Sequence, residues 1–156
     1  MTTSLEPVDS AARKEYAALL RHFAAGLITN REFEMRMPDW REIALREIDW
    51  AVWPAYDDFH EHKLVGKYQV TPEGREFIAR MILFLRSDLP YRWPPVTGLS
   101  QLPAVLVSLL TLGWFGRWWY RHRAPDGDQS VWPFYTRAEY DEALKHPPYL
   151  RGAQVI

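Results

Sequence analysis

TPEGREFIARMILFLR, residues 71–86, decides the fold class. Thr71 followed by Pro72 suits the N-cap and first position of a helix, because a threonine oxygen can accept a free backbone N–H and proline has none to lose. Phe77, Ile78, Met81, Ile82, Phe84 and Leu85 then wrap well over half of the helix circumference. A helix so apolar is one that others pack around. The stretch is therefore expected as the central helix of a mainly α protein.

Upstream, Asp9 or Ser10 can cap a first helix in which Tyr16, Leu19, Leu20 and Phe23 recur at helical spacing, and Gly26 stands where a left-handed residue would end it. Thr29 and Glu32 have the spacing of a capping box, with Ile28 and Phe33 placed as a hydrophobic staple. Pro38 stops this short second helix, and Asp39 with Glu42 opens a third through Ile43, Leu45 and Ile48. Pro54 predicts a kink or restart, because an interior proline removes one backbone bond and clashes with the preceding turn. The continuation is expected to reach about Lys63 and close at Gly66. On it Val52, Tyr56 and Phe59 form one stripe, with Asp58, Glu61 and His62 opposite. Lys67–Val70 can be extended.

Downstream, DLPYRWPPVTG (88–98) carries three prolines and a glycine and reads as a long ordered loop. Ser100 is placed to cap an apolar helix over Gln101–Leu112. Asp126-Gly127 is a turn signal between Trp118–Arg123 and Val131–Tyr135, which predicts a small C-terminal β-hairpin. Thr136 and Glu139 form another capping box, for a last helix ending before Pro147. The expected architecture is a single compact helical domain over 1–156, with residues 1–8 and 150–156 as flexible tails.

FLRSDLPYRWP (84–94) and VWPF (131–134) resemble stretches of small bacterial proteins with no assigned reaction. That resemblance implies a compact intracellular bacterial protein and transfers no catalytic residue.

Composition fits one core. A chain of 156 residues, 47% hydrophobic, can bury about 68–70% of its unfolded surface without a metal or disulfide staple. A formal net charge of −1 removes the global electrostatic case for a dedicated nucleic-acid binder. The absence of cysteine excludes disulfides, thiolate-held zinc, iron–sulfur clusters and a cysteine nucleophile. MTTSLEPVDSAARKEY at the start has neither the basic nor the apolar region of a signal peptide, so the cytoplasm is the expected compartment. The unusual feature is 8 Trp, 8 Tyr and 7 Phe, rings that either build the core or face a partner.

Phosphate-binding, dinucleotide, hydrolase-elbow and zincin signatures are all absent from the sequence, which favours a non-enzymatic role and no cofactor. Three stretches nevertheless carry chemistry. In DDFHEH (57–62), helical spacing would bring Asp58, Glu61 and His62 to one divalent cation, with Asp57 or His60 as a general base, so a metal-assisted enzyme is an alternative. RWWYRHR (117–123) interleaves arginines with rings, as single-strand binders do, but equally suits a strand with its rings inward; no nucleic-acid partner is expected. Residues 93–119 hold no charge until Arg117 and suggest membrane association as a second alternative, although Ala104–Leu112 spans only about 14 Å of a roughly 30 Å hydrocarbon core.

The charge balance of 39–62 points most directly to function. Asp39, Glu42, Glu47, Asp49, Asp57, Asp58 and Glu61 oppose only Arg41 and Arg46, and Trp40, Trp50 and Trp53 lie among them. Tryptophan anchors ringed by acid make an interface for a basic protein. The expected role is a protein-binding module, in its narrowest form an immunity-type inhibitor of a basic toxin. Trp50, Trp53, Asp57, Asp58 and Glu61 are its expected contact residues.

Overall fold

Five α-helices carry the described part of the protein: α1 (Ser10–Ala24), α2 (Asn30–Met35), α3 (Ile43–Val52), α4 (Pro72–Leu85) and α5 (Arg137–Lys145). The computed structural model describes residues 7–37, 41–57, 59–94 and 126–145. The expected Asp39 cap, the Gln101–Leu112 helix, the RWWYRHR segment and both tails lie outside these residues, apart from Pro7 and Val8.

Helix boundaries follow the local chemistry of the sequence. The Asp9 carboxylate accepts the Ala12 N–H at 3.0 Å and starts α1. Past its end, Gly26 has φ +68°, its N–H reaches the Phe23 carbonyl, and the Leu27 N–H reaches that of His22. These two bonds satisfy the orphan carbonyls of a Schellman motif. At α2, Thr29 Oγ1 accepts the Glu32 N–H at 3.1 Å while Glu32 Oε2 accepts the Thr29 N–H at 2.8 Å, so the capping box is complete. Thr71 caps α4 through the Gly74 N–H, with Pro72 in the first turn. Thr136 and Glu139 exchange the same pair of bonds at the start of α5.

α1 packs mainly on α4. Tyr16, Leu20 and Phe23 from α1 and Ile78, Met81, Phe84 and Leu85 from α4 are buried in one core with Phe33, Leu45, Ile48 and Phe134. Phe23 stacks on Phe33 at 4.7 Å between ring centroids. The C-terminal stretch also packs on α4. Phe134 meets Phe84 edge-on, Phe77 stacks on Trp132, and Trp93 Nε1 donates to the Pro133 and Phe134 carbonyls, each at 3.1 Å. Gly127 lies so close under Trp93 that an added Cβ would stand 2.8 Å from the indole.

Several sequence expectations need correction. Val131–Tyr135 is not a hairpin strand. A 3-10 turn occupies Gln129–Val131, started by the Asp128 carboxylate on the Ser130 N–H, and a cis Trp132–Pro133 bond follows. Pro133 has no N–H to give to a ladder. The other expected strand, Trp118–Arg123, is outside the described residues. Lys67–Val70 is not extended at its start either, because Gly66–Tyr68 forms a 3-10 turn and Gly66 at φ +59° opens it rather than closing a helix.

The largest difference lies after Pro54. α3 ends at Val52, a 3-10 turn spans Trp53–Ala55, and no helix continues to Lys63. Side chains capture the backbone groups such a helix would use. Asp57 Oδ1 accepts the N–H of Phe59 at 2.9 Å and of His60 at 3.2 Å. Asn30 Nδ2 donates to the Asp57 carbonyl at 2.8 Å and the His60 carbonyl at 3.1 Å, and Asn30 Oδ1 accepts the His62 N–H at 2.8 Å. Local bonds of this kind compete directly with helix. The predicted stripe therefore dissolves: Val52 is buried, Tyr56 is half-buried and Phe59 is 87% exposed. Phe59→Ala is expected to shift stability by no more than about 0.5 kcal/mol in urea unfolding. A loss above about 2 kcal/mol would show that the ring is buried in solution.

Candidate functional site

α3 is amphipathic. Ala44, Leu45, Ile48 and Val52 turn inward, and Trp50 and Trp53 are left outside, 60% and 48% exposed. Their ring centroids are 6.3 Å apart. The turn at Pro54 then brings Tyr56 onto Trp53, stacked at 5.3 Å and 17°. Three rings thus form a continuous row on the surface. Area this large, left in water, is the composition of an interface anchor.

Two carboxylates adjoin the row. Tyr56 donates its hydroxyl to Glu34 Oε2 from α2, and Tyr16 from α1 donates to Asp49 Oδ1 at 3.3 Å. Burial pushes the Asp49 carboxyl up to about 6; the Tyr16 bond acts against this, and the negative charge of Glu34 adds to it. Tyr16 is shifted upward as well, by burial and by Asp49, so it stays a hydroxyl donor. Among the described residues neither Glu34 nor Asp49 forms an ion pair with lysine or arginine.

Asp49 carries a pH consequence. Its folded-state pKa near 6 lies above the ordinary 3.8, so the folded protein binds this proton more tightly than the unfolded chain does. The contribution to stability is full below about 4 and is lost as pH rises through about 6. Asp49→Asn keeps an acceptor for Tyr16 and removes the charge. It is expected to stabilise the protein by about 1–2 kcal/mol at pH 7.5, after allowing for solvent screening of a half-buried group, and by little at pH 4. Thermal melts at the two pH values check this, and a variant less stable than wild type at pH 7.5 would contradict it.

The sequence-predicted residues fall into two groups. Trp50 and Trp53 are brought together. Asp57 follows directly but is engaged in its own loop, where the Phe59 N–H first and then the backbone and ring of His60 hold its carboxyl below the usual range. Glu61 is exposed and accepts the Thr29 hydroxyl at 2.8 Å, tying the loop to the α2 cap. Asp58 is outside the described residues.

The acidic stretch is less acidic at its surface than its sequence suggests, because Glu42 and Glu47 are buried. Glu42 was expected as part of the α3 cap. It stands at the N-cap position without a side-chain cap bond and turns its carboxylate to Arg13.

The helix that would gather Asp58, Glu61 and His62 around a cation is not formed at Glu61 and His62, since residues 56, 57 and 59–65 are not helical. His62 is buried at 7% exposure, with Nδ1 3.0 Å from the His60 carbonyl, Nε2 3.3 Å from the Ala55 carbonyl and Tyr68 stacked on its ring at 4.2 Å. Both ring nitrogens face backbone oxygens instead of open space. Among the described residues no three histidine or acidic groups cluster as metal ligands.

Sequence reading missed Glu34, Tyr56 and Tyr16 as site residues. Nothing local marks them: Glu34 is one exposed acid on a six-residue helix, and only the tertiary fold sets it near Asp49. Of the 93–119 stretch considered for membrane association, only Trp93 and Pro94 are among the described residues, and Trp93 is buried; among the described residues no helix is long and apolar enough to cross a membrane. No protein-family model, curated protein or solved structure matches this chain.

Proposed function

We propose that this protein is a non-enzymatic binding module that holds a basic protein against the face made by Trp50, Trp53, Tyr56, Glu34 and Asp49. An immunity-type inhibitor of a basic toxin, acting in the cytoplasm, is the specific form this role takes. The observation that carries the reading is the row of exposed Trp50 and Trp53 and half-buried Tyr56 beside two carboxylates that, among the described residues, have no lysine or arginine partner. Large rings supply contact area at low entropic cost, and the carboxylates steer and orient a cationic surface.

The test is retention of a basic protein from native lysate on the immobilised chain, compared with the Trp50→Ala/Trp53→Ala double variant. Binding is expected to fall at least tenfold, about 1.4 kcal/mol, in the variant and to weaken with salt. Equal retention by the double variant would place the contact elsewhere and overturn the assignment.

A further inference from the structure

We propose that the chemical group read by this face is the guanidinium of an arginine on the partner, stacked on the Trp53–Tyr56 pair and hydrogen-bonded to the Glu34 and Asp49 carboxylates. The inference rests on the binding-module reading and names the side chain that the module selects.

Three elements converge here. α1 supplies Tyr16, α2 supplies Glu34, and α3 with its following turn supplies Asp49, Trp53 and Tyr56. Each carboxylate takes one tyrosine hydroxyl. A carboxylate has two oxygens and about four lone-pair positions, so each retains acceptor capacity. Among the described residues no lysine or arginine pairs with either carboxylate. Burial, and then the charge of Glu34, hold Asp49 up near 6 against the Tyr16 bond, with Tyr16 and Glu34 as the titratable groups facing it.

Several cations could answer the charge, but the rings narrow the choice. Trp53 and Tyr56 are already in contact at 5.3 Å, too close for a guest between them, so a ligand lies on an outer face. A planar, weakly hydrated guanidinium stacks on such a face and still donates in its own plane to carboxylates. A lysine ammonium is a compact, strongly hydrated point charge and gains less from the rings. Nucleic acid is disfavoured by the same carboxylates, which repel phosphate.

The expected experiment titrates the full-length protein, followed by tryptophan fluorescence and calorimetry, with a short capped peptide in which arginine alternates with glycine and serine. The lysine counterpart of the same length and charge is the control. The arginine peptide should bind at least about fivefold tighter than the lysine peptide at physiological salt. Trp53→Ala, Glu34→Gln and Asp49→Asn should each weaken it by about tenfold. Wild-type affinity should drop by about fivefold or more between pH 7.5 and pH 5, and Asp49→Asn should flatten this dependence. Asp49→Asn and Glu34→Gln are isosteric and keep an acceptor for their tyrosines, so a folded protein is measured in each case.

Equal affinity for the two peptides would reduce the site to general electrostatics and overturn the proposal. So would arginine-peptide binding that none of the three variants changes. No binding at about 1 mM peptide, while Trp50→Ala/Trp53→Ala still loses a captured partner, would leave the binding module standing and remove arginine as its target. Self-association lost in Trp53→Ala, without peptide binding, would give the face to a second copy of the chain and equally overturn it.

Discussion

Replacing Glu42 with alanine is expected to destabilise the protein by about 3–5 kcal/mol. Arg13 is fully buried on the inner face of α1, and Glu42 is 5% exposed. The guanidinium donates from Nε to Glu42 Oε1 at 2.7 Å and from Nη2 to the same oxygen, while Nη1 donates to the carbonyls of Leu89 at 2.8 Å and Ser87 at 3.2 Å. Phe84 lies under it, 4.9 Å from guanidinium carbon to ring centroid. Glu42 Oε2 also accepts the Asp9 N–H at 3.2 Å. One buried cation therefore joins α1, the start of α3 and the chain leaving α4.

Alanine at 42 leaves that cation without its counter-ion and the Asp9 N–H without its acceptor. Burying an unpaired charge is what makes the loss large. Removing both charges should cost less than the sum of the single changes, so Arg13→Met with Glu42→Leu is the informative double variant. Urea unfolding of wild type, Arg13→Met, Glu42→Leu and the double variant measures the coupling. A Glu42→Ala loss below about 1 kcal/mol, or simple additivity, would mean that the pair is open to water in solution.

The second large effect is at Asn30, where alanine is expected to cost about 3 kcal/mol. Asn30 is 1% exposed, and its side chain makes three bonds to the backbone of residues 57, 60 and 62. Its own N–H donates to the His62 carbonyl at 3.0 Å, so helix and loop are joined twice. Alanine keeps that backbone bond and abandons the other three. Asn30→Asp is the sharper probe. It retains an acceptor for the His62 N–H but turns an oxygen toward two carbonyl oxygens that were receiving donors. At neutral pH it is expected to be at least as destabilising as alanine despite the nearly identical shape.

Amide exchange locates the consequence. Protection at residues 59–64 should fall in both variants while α1 and α4 keep theirs, because most of the core they share, Phe23, Phe84 and Met81 included, comes from outside the loop, which adds Leu64. Unchanged protection in the loop would remove Asn30 as its anchor. Since Tyr56 enters this loop, loosening it should also disturb the stacking on Trp53 and weaken partner binding secondarily.

Local chemistry explains which features could be read from the sequence. The Asp9, Thr29, Thr71 and Thr136 caps, the Gly26 terminus and the apolar faces of α1 and α4 each depend on residues within one or two turns of one another. Mainly helical architecture follows from these alone, and so does the exposure of some of the tryptophans as a question. Around Pro54 local information ran out. Periodicity alone favours helix to Lys63, and it is Asn30, about thirty positions earlier, that takes the carbonyls of Asp57 and His60 and holds the chain out of helix.

The candidate site divides in the same way. That Trp50 and Trp53 stand side by side was legible because they are three positions apart at the end of α3 and the turn that follows. Glu34 and Tyr16 entered only when α1 and α2 packed beside Asp49, and Glu42 left the acidic surface only because Arg13, 29 residues away, draws it into the core. A helix cap is decided by nearest neighbours in sequence, where the chain has no choice of partner. The charge and exposure of a carboxylate are decided by neighbours in space: in water an acid is solvated wherever it lies in the sequence, and only close packing settles whether it keeps that water, gains a guanidinium or faces another carboxylate.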